Sequence, residues 1–210
     1  MKLYDAGWAP SPRRVRIFLA EKAIQVERVA IDLRTGEQLG EAYLARVPRG
    51  VVPALELDDG EIITESAAIC RFFEVLHPDP PLFGVRPVEI ARVESWVRRI
   101  DAEGYAAGVY AFRNGHAAFA GKALPGHWPA IAQIPELVER ARVMWRGFVA
   151  ALDRQLETEE WVAGDRYSYA DIVALTTIDF AERAKLPLPD DAVHLARWRA
   201  AVTARPSADA

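Results

Sequence analysis

The stretch His77-Pro78-Asp79-Pro80-Pro81-Leu82-Phe83-Gly84-Val85-Arg86-Pro87 constrains the fold of this chain more than any other. It holds four prolines and one glycine. Proline lacks an N–H and fixes φ, so no regular element runs through such a segment. The 210-residue chain therefore reads as two parts. Residues 1–77 form a first domain, 78–87 a linker and 88–210 a second domain.

The two parts carry different periodicities. In the first, Lys2–Tyr4 is a short strand and Arg13–Ala23 a helix ending near Lys22. Val26–Ile31 alternates apolar and polar, as a half-buried strand does. Gln38–Leu44 reads as a short helix. Ala54–Leu57 and Glu61–Ile63, joined by Asp58-Asp59-Gly60, have hairpin chemistry. Glu65–Leu76 reads as a helix with Ile69, Phe72, Phe73 and Leu76 on one face. The order is β-α-β-α-β-β-α. After residue 87 only helical patterns of strength remain, at Val88 to about Phe119, Glu136–Leu156, Asp171–Ala184 and Val193–Ala204. The predicted fold is an α/β domain followed by an all-α domain.

Composition narrows the function classes. Apolar residues make up 51% and charged residues 27%, an ordinary globular balance. A net charge of -4 gives no basic surface for nucleic acid or anionic lipid. No apolar run approaches the roughly 18–20 residues of a membrane span, and the first residues, Met1-Lys2-Leu3-Tyr4-Asp5, lack the apolar core of a signal peptide. The single cysteine, Cys70, excludes an intramolecular disulfide and fits a reduced, cytoplasmic setting. His77, His116, His127 and His194 have no metal-ligand spacing, so no metal is expected.

Two local motifs stand out. In Tyr167-Ser168-Tyr169-Ala170-Asp171, Ser168 and Asp171 have the spacing of a capping box, with Asp in place of Glu or Gln. In Arg49-Gly50-Val51-Val52-Pro53, a proline precedes an alternating run. Proline cannot donate to a sheet ladder, so Pro53 belongs at a strand start, an edge or a bulge.

Four segments together resemble the glutathione S-transferase superfamily: residues 9–24 (APSPRRVRIFLAEKAI), 47–57 (VPRGVVPALEL), 63–73 (ITESAAICRFF) and 164–175 (GDRYSYADIVAL). The resemblance runs over essentially the whole chain. It implies a thioredoxin-like N-terminal domain, a helical C-terminal domain, a homodimer and glutathione as co-substrate. It also implies conjugation of the glutathione thiol to a hydrophobic electrophile, a detoxification chemistry. In the family the proline matching Pro53 is cis and turns the main-chain groups of the preceding residue, here Val52, outward, where the cysteinyl part of glutathione pairs like an added strand. The alternative is an ordinary edge-strand proline. Ser66, at a helix start, matches the residue that binds the γ-glutamyl carboxylate, an anion suited to free N–H groups. Glu65 matches the residue that holds the γ-glutamyl ammonium. Gln38 matches a polar position facing the glycyl carboxylate. Thr64, Glu65 and Ser66 also suit a helix cap.

A thiol of pKa near 8.5 must be shifted down to react at neutral pH, at about 1.4 kcal/mol per unit. A hydroxyl at the first helix N-terminus supplies part of this. By resemblance that hydroxyl is Ser11, the position of the catalytic serine in theta- and delta-like classes. The alternative for Ser11 is a plain N-cap before Pro12. Tyr4 is the rival hydroxyl. For the electrophile, placed between the domains by resemblance, the candidates are Trp8, Tyr105, Tyr110, Phe112 and Arg113, with Phe119 and Trp128 as similar cases. Each of these aromatics reads equally well as packing.

The chain also departs from the family. No cysteine lies in Ala9-Pro10-Ser11-Pro12, which argues against disulfide exchange. Cys70 sits within a helix and is expected to be buried and inert. Val47 and Val51 stand where relatives often carry Asn and a polar or basic residue. A peroxidase or isomerase using glutathione, and a non-catalytic binding or dimerisation module, are the other readings of the same scaffold.

Overall fold

The computed structural model describes residues 1–210 and divides into two compact units. One comprises Met1–Pro80 with Leu124–Ala130 and Ala210. The other comprises Pro81–Ala123 with Ile131–Asp209.

The first unit is built on four strands: β1 (Lys2–Asp5), β2 (Glu27–Ala30), β3 (Ala54–Glu56) and β4 (Ile62–Thr64). Their order is β2-β1-β3-β4, with β1 and β2 parallel and the other pairs antiparallel. Helices α1 (Pro10–Glu21), α2 (Glu41–Leu44) and α3 (Ser66–Leu76) complete it. Leu3, Val15, Ile17, Phe18, Leu55, Ile69 and Phe73 are among its most deeply buried side chains. Tyr4, Ile31, Tyr43, Val47 and Ala54 form a further cluster, against which Val51 and Val52 pack. Val47 is thus in the core, and Val51 packs against it partly buried. Cys70 is buried, as expected.

Several elements differ from the sequence expectation. Helix α1 starts at Pro10, earlier than Arg13, because proline is well tolerated in the first turn, where no intrahelical N–H bond is required. The expected Gln38–Leu44 helix is split. Glu37–Leu39 is a 3-10 turn, Gly40 is extended at φ -74° and ψ 151°, and only Glu41–Leu44 is α-helical. Helix α3 begins at Ser66, one residue later than expected, because Glu65 has φ +70°. Strand β3 is central, so Pro53 stands at a strand start and the edge-strand alternative is excluded.

The second unit is helical: α4 (Pro87–Arg99), α5 (Ala106–Gly115), α6 (Pro135–Thr158), α7 (Tyr169–Arg183) and α8 (Val193–Thr203). The run expected from Val88 to Phe119 is interrupted by a wider, π-type stretch at Ile100–Tyr105. Within it, a Cβ on Gly104 would lie 2.7 Å from the Phe148 ring, so glycine lets this stretch approach α6. Helix α7 is buried over nearly its whole length. At its start, Asp171 Oδ2 accepts from the Ser168 amide (2.9 Å) and from the Ser168 hydroxyl (3.0 Å). Its Oδ1 accepts from the Val162 amide (2.9 Å) and the Trp198 indole (2.8 Å). No helix of the chain is long and apolar enough to cross a membrane.

Candidate active site

The strand register gathers the sequence-predicted residues of the first unit at one end of the sheet. Tyr4 pairs with Ala54, and Ala54 with Thr64. Because β1 runs antiparallel to β3, and β3 to β4, the exit of β1, the entry to β3 and the exit of β4 coincide. The exit of β2 joins them, since Asp5 pairs with Ala30. Ser11 follows β1, the turn carrying Gln38 follows β2, Val52-Pro53 precedes β3, and Glu65-Ser66 follows β4.

Each segment is held locally. Arg16 donates to Asp5 (2.6 Å) and to the Gly7 carbonyl (2.8 Å), which pins the loop before α1. Ala9 is the N-cap of α1, so Ser11 is not, and that alternative is corrected. Ser11 is half-buried in the first turn. Of the first three helical residues, Pro10, Ser11 and Pro12, it alone carries an N–H. Trp8 lies in the preceding loop and is 40% exposed.

The Val52–Pro53 peptide is cis, as the resemblance implies. The Val52 N–H and C=O make no main-chain hydrogen bond within the chain. The Tyr43 hydroxyl donates to the neighbouring Val51 carbonyl (2.7 Å). His127 N–H donates to the Arg49 carbonyl (2.7 Å), so Leu124–Ala130 buttresses the segment leading to Val52.

Glu65 is the N-cap of α3 and makes no side-chain cap bond, which corrects the capping role expected of it. A left-handed φ in a non-glycine residue costs about 1–3 kcal/mol and clusters at ligand sites. Its carboxylate instead meets Arg49 Nη1 at 2.5 Å. Ser66, 6% exposed, occupies the first position of α3, where helical N–H groups lack partners. Gln38 has its side-chain oxygen buried without a hydrogen-bond partner.

Tyr4 is not available as the activating hydroxyl. It donates to Glu56, accepts from Arg46 (3.1 Å), and packs edge-on against Tyr43. Burial and then the Glu56 carboxylate push its pKa up, away from thiol activation.

In the second unit, Tyr105 and Phe112 both contact Phe180, at 5.6 and 5.4 Å between ring centroids. Phe112 also meets Phe119 at 5.0 Å. Arg113 lies over the Phe119 ring (4.9 Å) and donates to the Lys122 carbonyl (2.9 Å). Burial lowers its pKa. Tyr110 is half-buried and Trp128 is 56% exposed. Sequence reasoning missed Arg49, Tyr43 and His127. Arg49 stood inside a quoted motif, but its pairing with Glu65, like the other two contacts, is non-local.

Residues 8–76 match the model of the glutathione S-transferase N-terminal domain, and residues 117–206 that of the C-terminal domain. Glutathione S-transferase 2 of Saccharomyces cerevisiae is 33% identical over 99% of this chain and 87% of its own length. Maleylacetoacetate isomerase of Pseudomonas aeruginosa is 30% identical over 87% of this chain and 82% of its own length. The crystal structure of a glutathione S-transferase domain-containing protein from Marinobacter aquaeolei VT8 superposes with TM-score 0.90 at 34% identity, over 99% of each chain. With its thioredoxin-like first part and helical second part, the chain belongs to the glutathione S-transferase family of enzymes.

Proposed function

We propose that the chain binds glutathione at the end of its sheet and joins the glutathione sulfur to a hydrophobic electrophile. The observation that carries this reading is the convergence of Ser11, Val52 and Glu65-Ser66 at one end of the four-stranded sheet. The cysteinyl part pairs with the main chain of Val52, beside Pro53. The γ-glutamyl carboxylate sits at Ser66 and its ammonium at Glu65, whose carboxylate Arg49 orients. The Gln38 amide serves the glycyl carboxylate. The Ser11 hydroxyl donates to the thiolate and holds it ionised at neutral pH. The thiolate then forms the S–C bond as the electrophile releases its leaving group. On the helical part, Tyr105, Tyr110, Phe112 and Arg113 are assigned to the electrophile. We assign residues 1–77 to glutathione and 88–210 to the second substrate, in a cytoplasmic homodimer that uses no metal.

Ser11→Ala is expected to lower kcat/KM with a chlorodinitrobenzene by about tenfold or more, the usual scale for losing one activating hydrogen bond to a charged group. Unchanged turnover overturns the role of Ser11. The similarity to an isomerase supports a second reading, glutathione-dependent cis–trans isomerisation. Assay of the same pair of proteins on a cis-enone dicarboxylate separates the two.

A further inference from the structure

The chain between α5 and α6 brings a histidine to the end of the sheet where the candidate site lies. The Ile131 amide donates to the Gly121 carbonyl (2.9 Å), which closes residues 121–131 into an Ω-type loop. Its tip, Leu124–Ala130, belongs to the first unit. The Trp128 indole donates to the Pro125 carbonyl (2.8 Å) and fixes the bend between them, with Gly126 at φ +94°. His127 stands inside this bend, and its amide donates to the Arg49 carbonyl (2.7 Å).

Gly50 marks what lies beside His127. A Cβ on Gly50 would be 3.3 Å from the His127 Cβ, 3.0 Å from the Gln38 carbonyl oxygen and 2.9 Å from Leu39 Cδ2. The missing side chain lets three segments meet: the turn of Gln38, the stretch running to Val52, and the loop tip. The groups of this junction nearest the glycyl end serve a carboxylate poorly by themselves. Gln38 offers a neutral amide, whose oxygen is buried. The Arg49 guanidinium is engaged with Glu65 (2.5 Å), and Glu37 is turned to the Asp32 amide (2.7 Å). His127 differs from all three, because its imidazole is exposed and enters no hydrogen bond or ion pair of the chain. Imidazole keeps at least one N–H donor in either protonation state. No Asp or Glu stands between Glu103 and Glu136, so the loop carries no carboxylate of its own to repel an anion.

We propose that His127 is a further glutathione-binding residue, whose imidazole donates to the glycyl carboxylate from the loop tip. This rests on the reading that glutathione lies along Val52 with its glycyl end toward Gln38. The loop then adds one charge-assisted contact to a site otherwise made by the sheet end. That contact selects for a free carboxylate at the glycyl end of the thiol substrate.

The test uses the full chain and two ligands in isothermal titration calorimetry, glutathione and its glycyl ethyl ester, which is uncharged at that carboxylate. The wild type is expected to prefer glutathione. His127→Ala keeps the main-chain bond to Arg49, so the loop tip stays seated while the imidazole is lost. It is expected to weaken glutathione by about fivefold or more and to leave the affinity for the ester within about twofold. Equal affinities of the wild type for the two ligands, an unchanged glutathione affinity in the variant, or an equal loss of both ligands overturns the role of His127 and leaves the Val52 reading standing. No binding of either ligand by the wild type overturns that reading, and this inference with it.

Discussion

Asp171 shows what one residue does in this chain. Its carboxylate is completely buried and accepts from two amides, a hydroxyl and an indole. Burial raises its pKa to about 6, against the pull of those donors. The Ser168–Asp171 half of this network was legible in the sequence, because a capping box is a local pattern. The Val162 and Trp198 halves were not, since they come from a preceding turn and from α8. Asp171→Asn turns an amide group toward at least one donor and leaves it unpaired. It is expected to destabilise the chain by about 1–3 kcal/mol in urea unfolding. Ser168→Ala, which keeps the three N–H bonds, is expected to cost less. An Asn variant as stable as wild type would contradict the network.

At the scale of elements, the start of α4 carries a pH dependence. Glu89 accepts from the amides of Val85 (3.0 Å) and Arg86 (3.1 Å) and from the Arg86 side chain (2.7 Å). These bonds, the Val85 amide first, lower its pKa to about 2. A carboxyl depressed in the folded state binds its proton first in the unfolded chain. Its contribution is therefore full above the ordinary carboxylate range and fades as pH falls toward about 2. Glu89→Gln is expected to lower Tm at neutral pH and to show a shallower fall in Tm between about pH 4.5 and 2 than the wild type; parallel Tm curves would refute this. The helical period made the run from Val88 readable, whereas Pro87, read as the end of the linker, opens α4. The π-type stretch Ile100–Tyr105 was not read from sequence, and the close approach of its Gly104 to Phe148 joins two helices distant in the chain. The break at Gly40 had a local signal, because glycine is a poor helix former, and reading Gln38–Leu44 as one helix passed over it.

For the whole molecule, the proline-rich stretch and the change of period were enough to separate an α/β part from a helical part. Strand order was beyond reach, because a three-residue strand carries no mark of which neighbours it pairs with; the central position of β3 follows from β1 and β4. The family suggests that two copies act together. Sedimentation equilibrium is expected to give twice the chain mass, and a monomer at micromolar concentration would remove the dimer from the proposal.

The membership of Leu124–Ala130 in the first unit bears on how this chain tolerates recombination. The proline-rich stretch looks like a natural crossover point, yet a chimaera spliced there would take the prop beneath the Arg49 carbonyl from a foreign parent. Gly126, at φ +94° with its Cβ position 2.7 Å from that oxygen, admits no larger residue without displacement. Shuffled descendants of this gene would therefore have to inherit their α/β half and this short heptapeptide from the same parent.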